Sequence, residues 1–271
     1  MSLPQLASPP LSLALHGLTP AGPAGPTLRE QIPWARATGF AAVQPGATAA
    51  GVRPRELDRS ARRDVAAIIR REGLNLSGLD LWIPAEHFTD LAHLDRAMAA
   101  MLGAIELAAE LSLLVRGALS GTFTLPVVST MLPDEISREA LTTLAAAADR
   151  AGVRIVDHAI PARPTDPAIE PAIGIGVDPA AALAAGLDPA SLVSSLGKRL
   201  ASARFSDVSR TVGGGRVIPG SREGRLDLLA YSVALATSEF AGHIIADLRS
   251  LPQPEAAAAQ MLDAWRQSAT V

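Results

Sequence analysis

The chain has 271 residues, of which 48% are hydrophobic, 19% charged and only 3% aromatic, so its core must be built mainly from Ala, Leu, Val and Ile. A net charge of −3 provides no basic surface for duplex nucleic acid. The absence of cysteine excludes disulfides, thiolate metal sites and cysteine nucleophiles. The N-terminus lacks the basic start of a signal peptide, and no apolar stretch free of charge or proline is long enough to span a bilayer. We therefore expect a cytoplasmic protein that binds neither nucleic acid nor membranes.

Short apolar runs alternate with segments of helical periodicity, which is the pattern of a parallel sheet with crossover helices. A capping box at Thr27 and Glu30 opens the first helix, which should end near Gly39. For the fourth strand, 112–119 is an alternative to 125–132. The predicted strands are 12–18, 40–44, 74–84, 125–132, 153–159, 173–177, 200–206 and 243–248. The predicted helices are 27–39, 53–73, about 91–105, 134–151, two short ones after Asp178 and Asp188, 227–241 and 254–267.

The alternation breaks after the fifth strand. Only 14 residues, 159–172, precede the next apolar run, and four of them are proline. Proline disfavours a helix interior, so we expect a loop in place of the fifth crossover helix. Eight strands in this order predict an α/β fold, a (β/α)8 TIM barrel, over a single domain 1–271 with 1–11 as a loose N-terminal extension. A Rossmann fold is excluded because no Gly-x-Gly-x-x-Gly turn follows the first strand.

The active site of such a barrel lies at the carboxyl ends of its strands. Three aspartates, Asp157, Asp178 and Asp247, end three of the last four predicted strands, and oxygen-rich clusters of this kind suit a divalent ion such as Mn²⁺, Mg²⁺ or Zn²⁺. Such an ion could polarise a carbonyl while a carboxylate moves the neighbouring proton. Neighbouring strand residues face opposite ways, so we expect Asp157 to point into the barrel mouth and His158 towards the helices.

Each of these acids also has a plain structural interpretation. Asp178 precedes a proline, as a helix N-cap does, and Asp247 has Arg249 as an obvious partner. The glycines at 213–215 could surround a phosphate or form a surface loop. The remaining polar residues near strand ends are candidate substrate-binding residues: His16, Gln44, His87, Arg204 and Asp207.

Four segments follow one another in the order GVRIVDH, IGIGVDPAAALAAG, ARFSDVS and PGSREGRLDLLAYSVALATSEFAGHIIADLR. This series resembles the xylose isomerase-like barrels of sugar phosphate isomerases and epimerases, and the resemblance covers most of the chain, from GFAAVQ to the last helix. The resemblance implies a divalent metal held by Glu, Asp, His and Glu on strands five to eight. At those positions this chain has Asp157, Asp178, Arg204 and Asp247, and Gln44 stands where the family often has a further Glu.

The substitutions leave two hypotheses open. The first is a sugar or sugar-phosphate isomerase or epimerase in which Asp157 and Asp247 take part in metal-assisted proton transfer. The second follows from Arg204, because a guanidinium cannot ligate a metal but can replace its charge among the aspartates. That site would be metal-free, in a carbohydrate-binding or scaffold protein. An abasic-site endonuclease would need more histidines and a basic face, and a homo-oligomer is compatible with either main hypothesis.

Overall fold

The computed structural model describes residues 9–18, 27–116, 125–238 and 240–268. The strands are β1 Leu11–Ala14, β2 Ala42–Gln44, β3 Asn75–Leu76, β4 Gly78–Asp80, β5 Val127–Thr130, β6 Arg154–Asp157, β7 Ile173–Val177, β8 Leu200–Phe205, β9 Asp207–Val208, β10 Arg216–Val217 and β11 Ile244–Ala246. The α-helices are α1 Leu28–Thr38, α2 Arg59–Arg71, α3 Leu94–Arg116, α4 Arg138–Ala151, α5 Pro179–Ala184, α6 Pro189–Leu196, α7 Leu228–Thr237 and α8 Pro254–Ser268.

Nine strands form one parallel sheet in the order β3-β2-β1-β11-β8-β7-β6-β5-β4. The two ends of this sheet, β3 and β4, are separated by Ser77 alone, so the sheet is a nearly closed barrel with eight strand positions. The predicted TIM barrel is therefore confirmed. The third strand changes partner at Gly78, where a Cβ atom would lie 2.4 Å from the Val127 carbonyl oxygen, so only glycine fits.

Most predicted elements are present, with shifted ends. The capping box of α1 forms as predicted, and Gly39 ends that helix in the left-handed conformation. The second helix begins only at Arg59, since Asp58 caps it. Residues 15–18, predicted as strand, form a 3-10 helix. The alternative fourth strand is wrong where the structure describes it, because 112–116 belong to α3.

The segment between β6 and β7 contains no helix, as its prolines predict. It is a chain of turns tied to its surroundings by arginines: Arg138 pairs with Asp166 at 3.2 Å, and Arg199 with Glu170 at 2.9 Å. At the N-terminus, residues 1–8 of the predicted loose extension lie outside the described residues. Residues 9 and 10 are already bound to the barrel, since their carbonyl oxygens accept hydrogen bonds from Trp265 and Ile244, and β1 begins at Leu11.

The helix α3 is long and apolar enough to cross a membrane by length and composition, although Glu106 and Glu110 interrupt its apolar sequence. In the structure it packs against α2, α4 and the strands β3, β4 and β5. Its buried side chains include Met101, Ile105 and Leu111, and burial of each such side chain contributes about 1.5–3 kcal/mol. Packing against two helices and three strands is typical of a helix in the outer layer of such a barrel.

The interior of the barrel differs in chemistry from the layer between strands and helices. Residues facing the helices are apolar, as on β8, where Ala203 and Phe205 are fully buried and Phe205 packs edge-on against Trp265 of α8. Residues facing the interior include Val156 and Ile245, but many are polar or glycine: Ser12, Gln44, Ser129, Arg154, Gly174, Gly176, Ser202 and Arg204. Buried polar groups require partners, so this interior is where the chain concentrates its hydrogen bonding.

Candidate functional site

A fully buried arginine occupies the centre of the barrel. Arg204 on β8 extends across the interior to Asp80 on β4, which lies on the opposite side of the closed sheet. Its other terminal nitrogen donates to Asp247 Oδ2 at 3.3 Å, on the neighbouring strand end. Both carboxyl groups are as deeply buried as the guanidinium. The charge of Arg204 is thus paired on two sides, as burial of an arginine requires.

Two further arginines connect Asp247 with Asp178. Arg249 Nε donates to both carboxyl oxygens of Asp247, at 2.9 and 3.0 Å, and its Nη2 reaches Asp178 Oδ2 at 3.2 Å. Arg216, from β10, pairs with Asp178 at 2.5 Å and with Asp247 at 3.1 Å. Three arginines therefore face three aspartates; we call Asp80, Asp178, Arg204, Arg216, Asp247 and Arg249 the arginine–aspartate cluster.

The cluster controls the ionisation of Asp247. Burial by itself would raise the pKa of this carboxyl, but the guanidinium groups of Arg204 and Arg249 outweigh burial and hold its pKa far below the ordinary range. In return, Asp247 raises the pKa of Arg249 against the opposing effect of burial. The carboxylate of Asp247 is consequently a permanent anion whose charge is already matched by arginine.

Asp178 has the structural role that its Asp-Pro sequence indicates. It is the N-cap of α5, and its Oδ1 accepts hydrogen bonds from Ala180 N at 3.2 Å and from Ser206 Oγ at 2.6 Å. Its other oxygen faces the arginines. One carboxylate therefore both starts a helix and belongs to the cluster.

The predicted orientations of Asp157 and His158 are wrong, because they are reversed. Asp157 points out of the barrel: it accepts from Leu132 N and Ala159 N, both at 3.0 Å, and pairs with Arg163 at 3.1 Å. Burial raises its pKa, against these hydrogen bonds and the charge of Arg163. It has no contact with Asp178 or Asp247 in the described structure. Asp157, one of the three aspartates of the predicted metal site, therefore lies outside the barrel interior.

His158 lies inside the barrel instead. Its ring is 5.6 Å from that of Trp82, and it fills the space where Gly176 of β7 lacks a side chain, since a Cβ there would lie 2.2 Å from the imidazole. Burial lowers the pKa of His158 well below its usual value, and the positive charges of Arg204 and Arg249 add to that effect. The imidazole is therefore neutral at pH 7.

Trp82 stands between these groups. The guanidinium carbons of Arg249 and Arg204 lie 4.2 and 4.8 Å from its ring centre, within the range of cation–π attraction. This tryptophan therefore lies against the charged cluster. Asp80, Trp82 and Arg216 have no distinctive motif, and only Asp80 could be placed by its position at a strand end.

The structure places the other predicted substrate-binding residues in different parts of the barrel. Gln44 belongs to the interior, because its Nε2 donates to Asp80 Oδ1 at 2.7 Å and its Oε1 accepts from Ser77. His16 lies just after β1, close to Gly46. His87 stacks on His93 with ring centres 4.5 Å apart. Asp207 instead secures a loop, since its Oδ1 accepts from Val208 N, Arg225 N and Leu226 N.

Several buried polar atoms around the cluster have no hydrogen-bond partner. They include Asp80 Oδ2, Trp82 Nε1, His16 Nδ1, Arg204 Nε, Arg216 Nη1 and both ring nitrogens of His158. Each such group costs about 1–3 kcal/mol if it stays unsatisfied, so a concentration of them at one place indicates a site for water or a polar ligand. The set contains both donors and acceptors, which is the complement that hydroxyl groups need.

The residues present do not fit a divalent metal. Among the described residues, no group of three or more His, Asp or Glu side chains could hold an ion. Asp178 and Asp247 are near each other but are bound by Arg216 and Arg249. Two unit charges 4 Å apart interact by about 4 kcal/mol at an effective dielectric constant of 20, so a divalent cation would meet roughly twice that repulsion from each nearby guanidinium.

Comparison with known proteins supports the fold. No protein-family model and no curated protein matches the chain. Solved structures do, and among them is a xylose isomerase domain protein from Planctomyces limnophilus with a TM-score of 0.71 and 15% identity, covering 97% of both chains. D-allulose 3-epimerase from Methylomonas sp., in complex with D-allulose, has a TM-score of 0.67 and 16% identity and covers 99% of both.

A third similar structure is a xylose isomerase-like TIM barrel protein from Mycobacterium smegmatis in complex with magnesium. Its TM-score is 0.66 at 13% identity, with 97% of both chains covered. At such identities the likeness establishes the fold alone, a TIM barrel. The structural neighbours of this barrel include sugar isomerases and epimerases and also a probable 3-DHS dehydratase.

Proposed function

We propose that this chain binds a sugar at the C-terminal end of its barrel without the help of a divalent metal. One observation carries the proposal: the guanidinium of Arg204 lies fully buried between Asp80 and Asp247, where it supplies the positive charge that a metal would supply in a ligated site. The negative charges of Asp178 and Asp247 are already balanced by Arg216 and Arg249. The ligand would therefore be a neutral or weakly charged molecule that binds through hydrogen bonds.

The unpartnered polar atoms support a polyhydroxy ligand in particular. Asp80 Oδ2 can only accept and Trp82 Nε1 can only donate, while a neutral imidazole at His158 offers one donor and one acceptor. A sugar hydroxyl can meet either need because it donates and accepts. The D-allulose bound to a protein of the same fold favours a ketose as the first molecule to test.

Calorimetric titration tests this proposal directly. Protein dialysed against EDTA is titrated with D-allulose, with a ketose phosphate and with glycerol as a non-specific polyol control. We expect saturable sugar binding with the same Kd in EDTA and after addition of Mn²⁺ or Mg²⁺. Trp82→Phe, which removes the indole N–H but keeps a ring, should weaken binding about three- to tenfold, the loss expected for one hydrogen bond. Binding that appears only with metal would refute metal independence.

Proton transfer next to the sugar carbonyl is a second candidate function, and it is favoured by His158. An imidazole that is neutral at pH 7 has a lone pair that can accept a proton, although the burial and the arginines that lower its pKa also make it a weaker base, and it lies inside the barrel beside the arginine–aspartate cluster. Deuterium uptake by D-allulose in D2O, followed by NMR, measures this activity. Uptake by the wild type that is lost in His158→Gln, with sugar binding retained, would support it; no uptake by the wild type leaves the sugar-binding proposal alone.

A further inference from the structure

A cavity of about 330 Å³ lies at the N-terminal end of the barrel, opposite to the arginine–aspartate cluster. Its walls come from the starts of β5, β6, β8 and β11 and from the loops before them. The polar residues that line it are Ser77, Arg154, Lys198, Ser202 and His243. Because one water molecule takes about 30 Å³ of liquid volume, this space accommodates roughly ten atoms of that size.

Arg154, the first residue of β6, extends its side chain into the barrel at this end. The space for it exists because Gly174 on β7 has no side chain: a Cβ there would lie 2.6 Å from Arg154 Nε. Its Nη2 donates to the Lys198 carbonyl oxygen at 3.0 Å, but its Nε is buried without a partner. Arg154 makes no ion pair within the described part of the chain, and burial lowers its pKa while the more distant charge of Glu170 acts in the opposite direction.

The same cavity contains two more groups with unused hydrogen-bonding capacity. Ser202 is 2% exposed, and its buried hydroxyl has no partner. His243 Nδ1 is also buried and unpartnered. Among the described residues that line the cavity there is no aspartate or glutamate. A guanidinium without an ion pair among the described residues, beside a hydroxyl and an imidazole with unused hydrogen-bonding capacity, is the complement of an anion rather than of a cation or an apolar molecule.

We propose that this cavity binds a small anion through a carboxylate or phosphate group, with Arg154 as the main contact and Ser202 and His243 as additional hydrogen-bonding groups. The site is separate from the sugar site, at the other end of the same barrel. Gly174 belongs to it indirectly, because it makes the room that Arg154 occupies. The inference does not depend on the proposed function, since none of these residues belongs to the arginine–aspartate cluster.

Titration of the intact protein with inorganic phosphate and with acetate or citrate tests the site, with sodium chloride at equal ionic strength as the reference. We expect a saturable binding heat and an increase of the melting temperature with at least one of these anions. Arg154→Gln should weaken the Kd about tenfold to a hundredfold, since hydrogen bonds to a charged group are worth more than neutral ones. A phosphate-only or carboxylate-only response identifies which group the site takes.

Arg210→Gln is the matched control. Arg210, like Arg154, donates to a backbone carbonyl oxygen, that of Gly224, but it lies in the loop after β9 at the other end of the barrel. A second variant, Ser202→Ala, removes the hydroxyl without adding bulk to the cavity and should weaken anion binding even if Arg154→Gln does not fold. Equal weakening by Arg210→Gln and Arg154→Gln, or no response beyond that to chloride, would overturn the proposal.

Discussion

The glycines at 174 and 176 determine which large side chains enter the barrel. Both belong to β7, and each lies beside an inward-pointing residue of the β6 segment, Arg154 in one case and His158 in the other. Two bulky cationic or aromatic groups can share this interior because the neighbouring strand contributes no side chain there. The two glycines of the IGIGV sequence are therefore needed to make room for these side chains, not to make the backbone flexible.

Gly176→Ala should destabilise the protein by about 1–3 kcal/mol, the usual cost of overpacking a core, because the new Cβ would lie 2.2 Å from the His158 ring. Urea unfolding measures this cost. Gly215→Ala is the control, since nothing lies within 4 Å of a Cβ at that position. In a His158→Ser background the cost of Gly176→Ala should largely disappear; an undiminished cost there would contradict the steric explanation.

Arg204→Met should reduce the free energy of unfolding by about 3–5 kcal/mol, because it leaves Asp80 and Asp247 buried without their shared partner. Denaturant titration of the variant beside Arg150→Met, a substitution on the exposed face of α4, separates this loss from a general effect of removing arginine. A loss no larger than that of Arg150→Met would mean that the other arginines can compensate the aspartates by themselves.

At the scale of elements, Asp157 replaces a missing helix as the anchor of the proline-rich segment. It binds Leu132 N in the loop after β5 and Ala159 N at the start of the segment, and Arg163 returns from the segment to pair with it. Arg163 also donates to the carbonyl oxygen of Pro133 at 3.0 Å. A strand-end acid thus holds two loops together where other barrels would pack a helix.

Asp157→Asn should change how stability depends on pH. Because the folded-state pKa of Asp157 is raised, the folded protein holds this proton more tightly than the unfolded chain does, and the wild type loses stability as pH rises from about 4 towards the folded pKa. Asparagine cannot ionise but keeps an oxygen for the two backbone donors. The stability of the variant relative to wild type should therefore increase with pH above about 4; urea titrations that give parallel pH profiles would refute this.

At the scale of the whole molecule, the barrel and the missing helix could be predicted because they depend on local patterns, namely apolar runs, caps and prolines. The site could be predicted only in part. The positions of Asp178, Arg204 and Asp247 follow from strand ends, but the inward direction of His158 rather than Asp157 depends on where β6 leaves the sheet. Arg216 reaches the cluster from a hairpin whose path no local pattern reveals.

The balance of charge in the cluster also predicts how the whole protein responds to metal. We expect its melting temperature to be the same in EDTA and in millimolar Mn²⁺, Mg²⁺ or Zn²⁺. A metal ion raises the melting temperature only if it binds the folded protein in preference to the unfolded chain, and we expect no such binding here. Thermal scans measure this, and metal analysis after dialysis checks retention. A stoichiometric ion that survives dialysis and raises the melting temperature would contradict a centre built on arginine.

The break in the third strand has a consequence for how the barrel opens. At Ser77 the regular ladder changes side, since Leu76 pairs with β2 and Gly78 with β5, and the wall is closed by backbone bonds from Ser77 N to the Val43 oxygen, from Asp80 N to the Pro45 oxygen and from Ala47 N to the Asp80 oxygen. The strand β4 therefore has a regular ladder towards β5 and only an isolated bridge, Gly46 to Asp80, on its other side. The amide protons of β3 and β4 should exchange with solvent earlier than those of β7 and β8, which makes this seam the place where the closed wall first separates into an open sheet.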